Sequence, residues 1–171
     1  TMKFESVDIT ELLAGIVARF EVTFSLNRKE LQLKSAEEQV WAAVDKEAIT
    51  KILSNLLNNA LKYASQNVLV ELEKGEDSFT IRVTSDGNKI PAEVSQYIFE
   101  PFYQVDRKEK PRNGVGIGLS LARSQASLQK GPITLDTRKE TNIFVLTIPL
   151  NTEGHHQANN HAHKREIEGI D

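Results

Sequence analysis

Cysteine is absent from the 171-residue chain. That excludes disulfides, a thiolate nucleophile and cysteine-ligated zinc or iron–sulfur centres. Histidine is absent before residue 155, and the four present, His155, His156, His161 and His163, crowd into the last stretch. No apolar run approaches the roughly 18–20 residues of a membrane span, and no signal-like segment opens the chain. Charge of one sign is also missing: 21 basic residues face 24 acidic ones, for a formal charge of -3. Steering of nucleic acid by bulk charge is therefore excluded, and no direct nucleic-acid partner is expected. The single methionine, Met2, follows Thr1, so the chain reads as a piece of a longer protein with an added residue at its front. A reducing cytoplasm is the default compartment for such a composition.

What is present is ordinary for a globular domain, with 39% hydrophobic and 26% charged residues. The length allows one domain, expected over 1–150, followed by a polar tail over 151–171. That tail has no aromatic and only two large aliphatics, Ile167 and Ile170. Its histidines lack accompanying carboxylates in an ordered scaffold, so a solvated linker is the better reading than a metal site. Asp8, with Glu11 three residues on, predicts a capped helix running to about Phe20. Leu31–Leu33 and Val40–Val44 alternate as short strands. Asp45 introduces the strongest helix, to Ala64, on the apolar set Ile49, Ile52, Leu53, Leu56, Leu57, Ala60, Leu61 and Ala64. Strands are predicted over Val68–Leu72, Phe79–Val83, Ile133–Asp136 and Ile143–Leu150, a short helix over Ala92–Ile98, and another helix over Ile117–Leu128. The order indicates an α+β fold: a two-layer α/β sandwich whose mixed, mostly antiparallel sheet is covered on one face by about three helices.

Four features carry chemistry. In the central helix, Asn55, Asn59 and Lys62 project within roughly 60° of one another beside the apolar stripe, with Asn58 turned toward solvent. Asparagine is a poor helix former, and Asn55, Asn58 and Asn59 together cost about 2 kcal/mol relative to alanine. An amide oxygen is a hard neutral ligand suited to Mg²⁺, and an ammonium one turn on suits a phosphate. The alternative is a solvent face that happens to be rich in asparagine. Next, Asn113-Gly114-Val115-Gly116-Ile117-Gly118-Leu119 runs into a helix, a pattern that turns amides toward an anion. A hinge is the plain alternative, and the G-x-G-x-G spacing fits neither a dinucleotide fingerprint nor a phosphate loop. Third, Asp86-Gly87 ends a strand, where a carboxylate can accept from an exocyclic amine or simply make a turn. Fourth, Phe99-Glu100-Pro101-Phe102-Tyr103 is an aromatic cluster of the kind that builds core. Placed before a polar loop, it can also anchor one end of a mobile lid.

Taken in order, these features resemble the nucleotide-binding motifs of the GHKL ATPase superfamily. Within it they are similar to the catalytic and ATP-binding domain of bacterial two-component sensor histidine kinases. Asn55–Tyr63 resembles the N box, Asp86–Pro91 the first glycine box, Phe99–Phe102 the F box and Gly114–Leu119 the second glycine box. The resemblance runs from about Ser6 to Leu150, and it implies the Bergerat fold with an ATP lid. It also implies ATP and Mg²⁺ as cofactors. Asn59 would be the main Mg²⁺ ligand, Asn55 would support phosphate or metal, and Lys62 would contact phosphate, these three being the catalytic set. Tyr63, Asp86, Gly87, Ile90, Phe102, Gly114, Gly116, Gly118 and Leu119 would complete the nucleotide-contacting set. Phe99 and Phe102 would pack the lid against a helical phosphoacceptor domain.

Two departures stand out. Aligned on Gly87 and Ile90-Pro91, Ser85 takes the place of the adenine-reading aspartate and Lys89 that of the second glycine. Either Asp86 swings in, or Ser85 reads adenine through water, or binding is weakened; Asp86 is the favoured contributor. Val115 stands where a hydroxyl residue is common. With no histidine before His155, the phosphoacceptor is expected on a dimerisation domain upstream of Thr1, in a parent protein anchored to the membrane with this portion cytoplasmic. A response regulator, or a receiver domain as in a hybrid sensor, is the expected downstream partner. A degenerate nucleotide-sensing or docking module on the same fold is the competing reading, and an anti-sigma type serine kinase is a third.

Overall fold

The chain begins extended, and β1 (Glu5–Asp8) runs directly into α1 (Ile9–Leu26). The computed structural model describes residues 2–36, 39–103 and 118–151. Asp8 is the predicted N-cap, accepting from the Thr10 and Glu11 amides, while the Glu11 charge lies in the first turn. The helix continues beyond the expected end at Phe20 because Phe24 keeps the apolar period and is fully buried. It closes in a Schellman turn, with the Arg28 amide on the Ser25 carbonyl and the Lys29 amide on the Phe24 carbonyl. Arg28 holds the left-handed φ of 57° that such a turn requires. The sequence reading missed β1, whose Glu5-Ser6-Val7-Asp8 holds a single large apolar residue.

The chain then forms β2 (Glu30–Ser35), β3 (Trp41–Val44) and α2 (Lys46–Tyr63). Asp45 caps α2 through the Ala48 amide, and the predicted stripe from Ile49 to Ala60 lies buried. After α2 come β4 (Asn67–Lys74) and β5 (Ser78–Ser85), and β5 alternates between half-buried and buried along its whole length. The helix expected over Ala92–Ile98 is only a 3₁₀ turn at Ala92–Val94. Pro91 starts it, no side chain caps it, and the Ser95 hydroxyl bonds back to the Ala92 carbonyl, which favours a tight turn over a continuing helix. α3 (Gly118–Leu128), β6 (Ile133–Asp136) and β7 (Asn142–Pro149) complete the described elements.

The main sheet has the order β2-β4-β5-β7-β6. Only β2 and β4 run parallel; β4–β5, β5–β7 and β6–β7 are antiparallel. β1 and β3 make a separate antiparallel ribbon, joined to the end of β7 by the Ala43 amide on the Leu150 carbonyl. One face of the main sheet presents Val68, Val70, Leu72, Phe79, Ile81, Val83, Phe144, Leu146 and Ile148, all buried. α1, α2 and α3 cover that face, so the α+β sandwich is the architecture the sequence predicted. No helix among the described residues is long and apolar enough to cross a membrane.

Candidate functional site

Helix α2 brings Asn55, Asn59 and Lys62 to the edge of the core, each half-buried, while Asn58 points outward and is exposed. Neither Asn55 nor Asn59 makes a side-chain hydrogen bond with another described residue. Two half-buried amides with spare capacity, on a helix that alanine would stabilise, leave acceptors open to solvent or to a ligand. Gly118 opens α3 beside them: a Cβ built there would lie 3.8 Å from Asn55 Oδ1. The first turn of α3, the end of the helix that carries partial positive charge, therefore lies beside Asn55. Leu119 tucks against the core behind it. Gly114 and Gly116, and the lid expected around them, lie outside the described residues.

The loop after β5 forms the other wall. A Cβ at Gly87 would collide with the Tyr63 carbonyl, so only glycine lets this loop touch the C-terminal end of α2. Beyond it, buried Asn142 accepts from the Ile90 amide at 2.8 Å and donates to the Asn88 carbonyl at 2.8 Å. That single amide fixes the loop over residues 88–90, and Ile90 packs onto the core. No sequence signal marked Asn142; a buried amide at the start of a strand looks like any polar strand end. Lys89 is exposed and reaches the Thr141 carbonyl at 3.4 Å.

Asp86 takes the turn-making role that the sequence offered as the alternative to reading a base. Its carboxylate accepts from the amides of Ser65 (3.0 Å), Gln66 (2.9 Å) and Asn67 (3.0 Å) and from Asn67 Nδ2 (3.1 Å). All its acceptor capacity is spent holding the α2–β4 turn. Burial pushes its pKa up, but the Gln66 and Asn67 amides, the Asn67 side chain and the Ser65 amide outweigh it, and the pKa falls below the ordinary value. Ser85, by contrast, is 7% exposed on the helix-facing side of β5. It pairs in register with Asn142, and its hydroxyl bonds to no other described side chain.

The aromatic cluster divides. Phe99 is core, edge-on to Phe144 at 6.0 Å and capped by the Arg123 guanidinium of α3 at 5.6 Å. Tyr97 and Tyr103 lie 5.9 Å apart. Phe102 stands 67% exposed with a left-handed φ of 67°, a conformation non-glycine residues rarely hold. The two phenylalanines thus sit differently: Phe99 anchors the segment in the core and Phe102 is presented outward. Tyr63 is also exposed, at the end of α2 where Gly87 approaches.

Among the described residues no group of three or more His, Cys, Asp or Glu gathers to hold a metal. A divalent ion at this site would rest on neutral amide oxygens and on the oxygens of a ligand brought with it. That donor set suits Mg²⁺, which keeps waters and shares substrate phosphates. An ammonium at Lys62, amide oxygens at Asn55 and Asn59 and a helix N-terminus at Gly118 together suit a polyphosphate carrying its own cation.

Comparison with known proteins gives the same picture. Residues 44–152 match the model of the family described as histidine kinase-, DNA gyrase B-, and HSP90-like ATPase. The sensor protein VanSC of Enterococcus gallinarum is 32% identical over 151 residues, which is 86% of this chain and 41% of that relative. The chain spans less than half the length of curated relatives it matches. In fold it is similar to the nucleotide-free catalytic domain of histidine kinase ThkA, with a TM-score of 0.77, 23% identity and coverage of 88% of this chain and all of that one. It is similar as well to ThkA in complex with the response regulator TrrA (TM-score 0.75, 22% identity, 87% of this chain and 42% of that one).

Proposed function

The chain belongs to the family of histidine kinase-, DNA gyrase B- and HSP90-like ATPases, and we propose that it binds Mg·ATP and donates the γ-phosphoryl group to a histidine on an adjacent helical domain, as the catalytic part of a sensor histidine kinase. The observation that carries this reading is the row of Asn55 and Asn59, half-buried and without side-chain partners among the described residues, beneath the N-terminus of α3.

Phosphoryl transfer asks a protein mainly for position and charge neutralisation. Asn59 is the residue best placed to share a divalent ion with the triphosphate, and Asn55 supports the ion or a phosphate from one turn earlier. When bound, that ion neutralises charge on the β- and γ-phosphates. Lys62 brings a positive charge to the same face of α2, and the α3 N-terminus brings amides from across the site. Gly87 and Tyr63 close the end where the base and ribose lie, with Ser85 as the hydroxyl facing it. In the transfer the bond between the γ-phosphorus and the ADP oxygen breaks while a phosphorus–nitrogen bond to the imidazole forms. ADP leaves with the electron pair, and the imidazole gives its proton to a base on its own domain. No histidine precedes residue 155 in this chain, and in this reading the acceptor is a histidine of a separate dimerisation domain. We place the domain on the cytoplasmic side of a membrane sensor, with a response regulator receiving the phosphoryl group from that histidine.

One observation favours a second reading, a docking module without turnover: Asp86 is consumed by the α2–β4 turn, leaving a hydroxyl where a carboxylate would read the base. Calorimetric titration with ADP and a non-hydrolysable ATP analogue, with and without Mg²⁺, separates the two. Magnesium-dependent binding that Asn59→Ala removes is expected. No binding at millimolar nucleotide would give the docking reading the field.

A further inference from the structure

Among the described residues α2 packs more extensively on α3 than on α1, and the fully buried positions of α3 itself are small. Ala122 and Ala126 are fully buried there. A seam of alanines brings the two backbones close but offers little against sliding along the axis. One polar group interrupts it. Gln129, 2% exposed, sits where α3 ends, its amide closing the helix on the Ala126 carbonyl while Lys130, at φ 58°, turns the chain away. Its side-chain Oε1 accepts from the Asp45 amide at 3.4 Å, and its Nε2 donates to the Asp45 carbonyl at 3.4 Å. The side chain thus pairs with the backbone of Asp45 as a neighbouring strand would.

Asp45 is itself a junction. One carboxylate oxygen caps α2 at the Ala48 amide (3.1 Å), and the other accepts from the Lys3 amide of the incoming chain (3.0 Å). The Lys3 amide, set against burial and helped by the Ala48 and Glu47 amides and the Lys51 charge, holds the Asp45 carboxyl below its ordinary range.

The distances run in parallel. Asn55 lies ten residues after Asp45, and Gly118 eleven before Gln129. At about 1.5 Å per residue the spans are roughly 15–17 Å. A clasp at one end of the pair therefore sets which residue of α3 lies over Asn55 at the other. A leucine or methionine would fill the space of Gln129 without the cost of burying an amide, and a polar group kept in such a seam has its best-attested use in fixing register.

We propose that Gln129 is a positioning residue for the nucleotide site: its clasp on Asp45 sets the axial register of α3 on α2, and so the placement of Gly118 over Asn55, with the incoming chain tied to the same residue at Lys3. The proposal rests on the nucleotide reading above for its functional consequence, but not for its geometry.

The test uses the 171-residue chain and the variants Gln129→Met and Gln129→Leu, which keep the volume and remove the clasp. Affinity for the ATP analogue is measured about 20 °C below each variant's own melting point, so that loss of stability does not enter. Either variant, if folded, is expected to bind about 3–10-fold more weakly, the loss of one or two hydrogen bonds' worth of registration. In an Asn55→Ala background the same substitution is expected to cost nothing further, because Gln129 acts through that contact. In the nucleotide-free protein the amide resonances of Gly118 and Asn55 are expected to shift. Wild-type affinity in a folded variant, or a full additive loss in the Asn55→Ala background, overturns the proposal. Absence of binding by the wild-type chain defeats the nucleotide reading instead. The register is then decided by the amide resonances alone, and unmoved Gly118 and Asn55 signals sink it.

Discussion

Replacing Asp86 by alanine separates two roles for one carboxylate. In the structure it takes three backbone amides and one side-chain amide of the α2–β4 turn, at 2.9–3.1 Å. Hydrogen bonds to a charged acceptor are worth about 1.5–3 kcal/mol each when desolvated. This turn is at the surface, where water replaces part of what is lost, so about 1 kcal/mol for each backbone amide is the fitting scale. The side-chain amide of Asn67 can turn to solvent at little cost. The sum is about 3 kcal/mol, and with roughly 2–4 °C per kcal/mol for a domain of this size the melting point should fall by about 6–12 °C at pH 7. Differential scanning calorimetry reads it directly. The affinity for an ATP analogue, taken well below the variant's transition, should change by no more than about twofold. pH supplies a further check. The folded pKa lies below the ordinary 3.8, so this carboxylate stabilises the fold above that value and loses its contribution as the pH falls through the folded pKa. The gap between wild type and Asp86→Ala should therefore be full at neutral pH and shrink below about pH 4. An unchanged melting point together with a tenfold or greater loss of nucleotide affinity would refute the reasoning and return Asp86 to the base.

Asn59→Ala should raise the melting point of the nucleotide-free protein by a degree or two, since alanine favours the helix by about 0.7 kcal/mol, while removing magnesium-dependent binding in calorimetry. Gly87→Ala forces a Cβ onto the Tyr63 carbonyl; a loss of about 3 kcal/mol or more in denaturant titration is expected, and a loss under 1 kcal/mol would mean the loop swings away freely. Arg28→Gly relieves a left-handed φ of 57° and should stabilise by about 1 kcal/mol, with nucleotide affinity unaltered in the same titration.

The helix that carries Asn55 and Asn59 is legible because its apolar spacing and its cap at Asp45 agree over eighteen residues. The alternation of β4 and β5 is legible for the same reason, both strands being eight residues long with one face covered. Strand β1 is not, because Glu5–Asp8 holds one large apolar residue, Val7, whereas its partner β3, equally short, is apolar throughout. Side-chain commitments are the harder part. Asp86 and Ser85 stand next to each other, and only the register of β5 against β4 and β7 reveals that one faces the turn and the other the helices. Asn142 and Gln129 each satisfy backbone groups far away in sequence, at Ile90 and Asp45. Nothing local distinguishes such amides from solvated ones. Of the two phenylalanines, Phe99 and Phe102, spacing alone does not say which is core, because the segment is a run of turns rather than a periodic element.

The ribbon of β1 and β3 has a mechanical consequence. Lys3 bonds to Asp45, at the end of β3, and Ala43 bonds to Leu150, at the end of β7. A force applied between Lys3 and Leu150 therefore runs through β1, β3 and a handful of hydrogen bonds, bypassing α2, α3 and the five-stranded sheet. Under tension the ribbon should yield first as a fuse, with the asparagine row and the α3 N-terminus outside the load path. In single-molecule stretching that would register as a small early extension ahead of the main rupture.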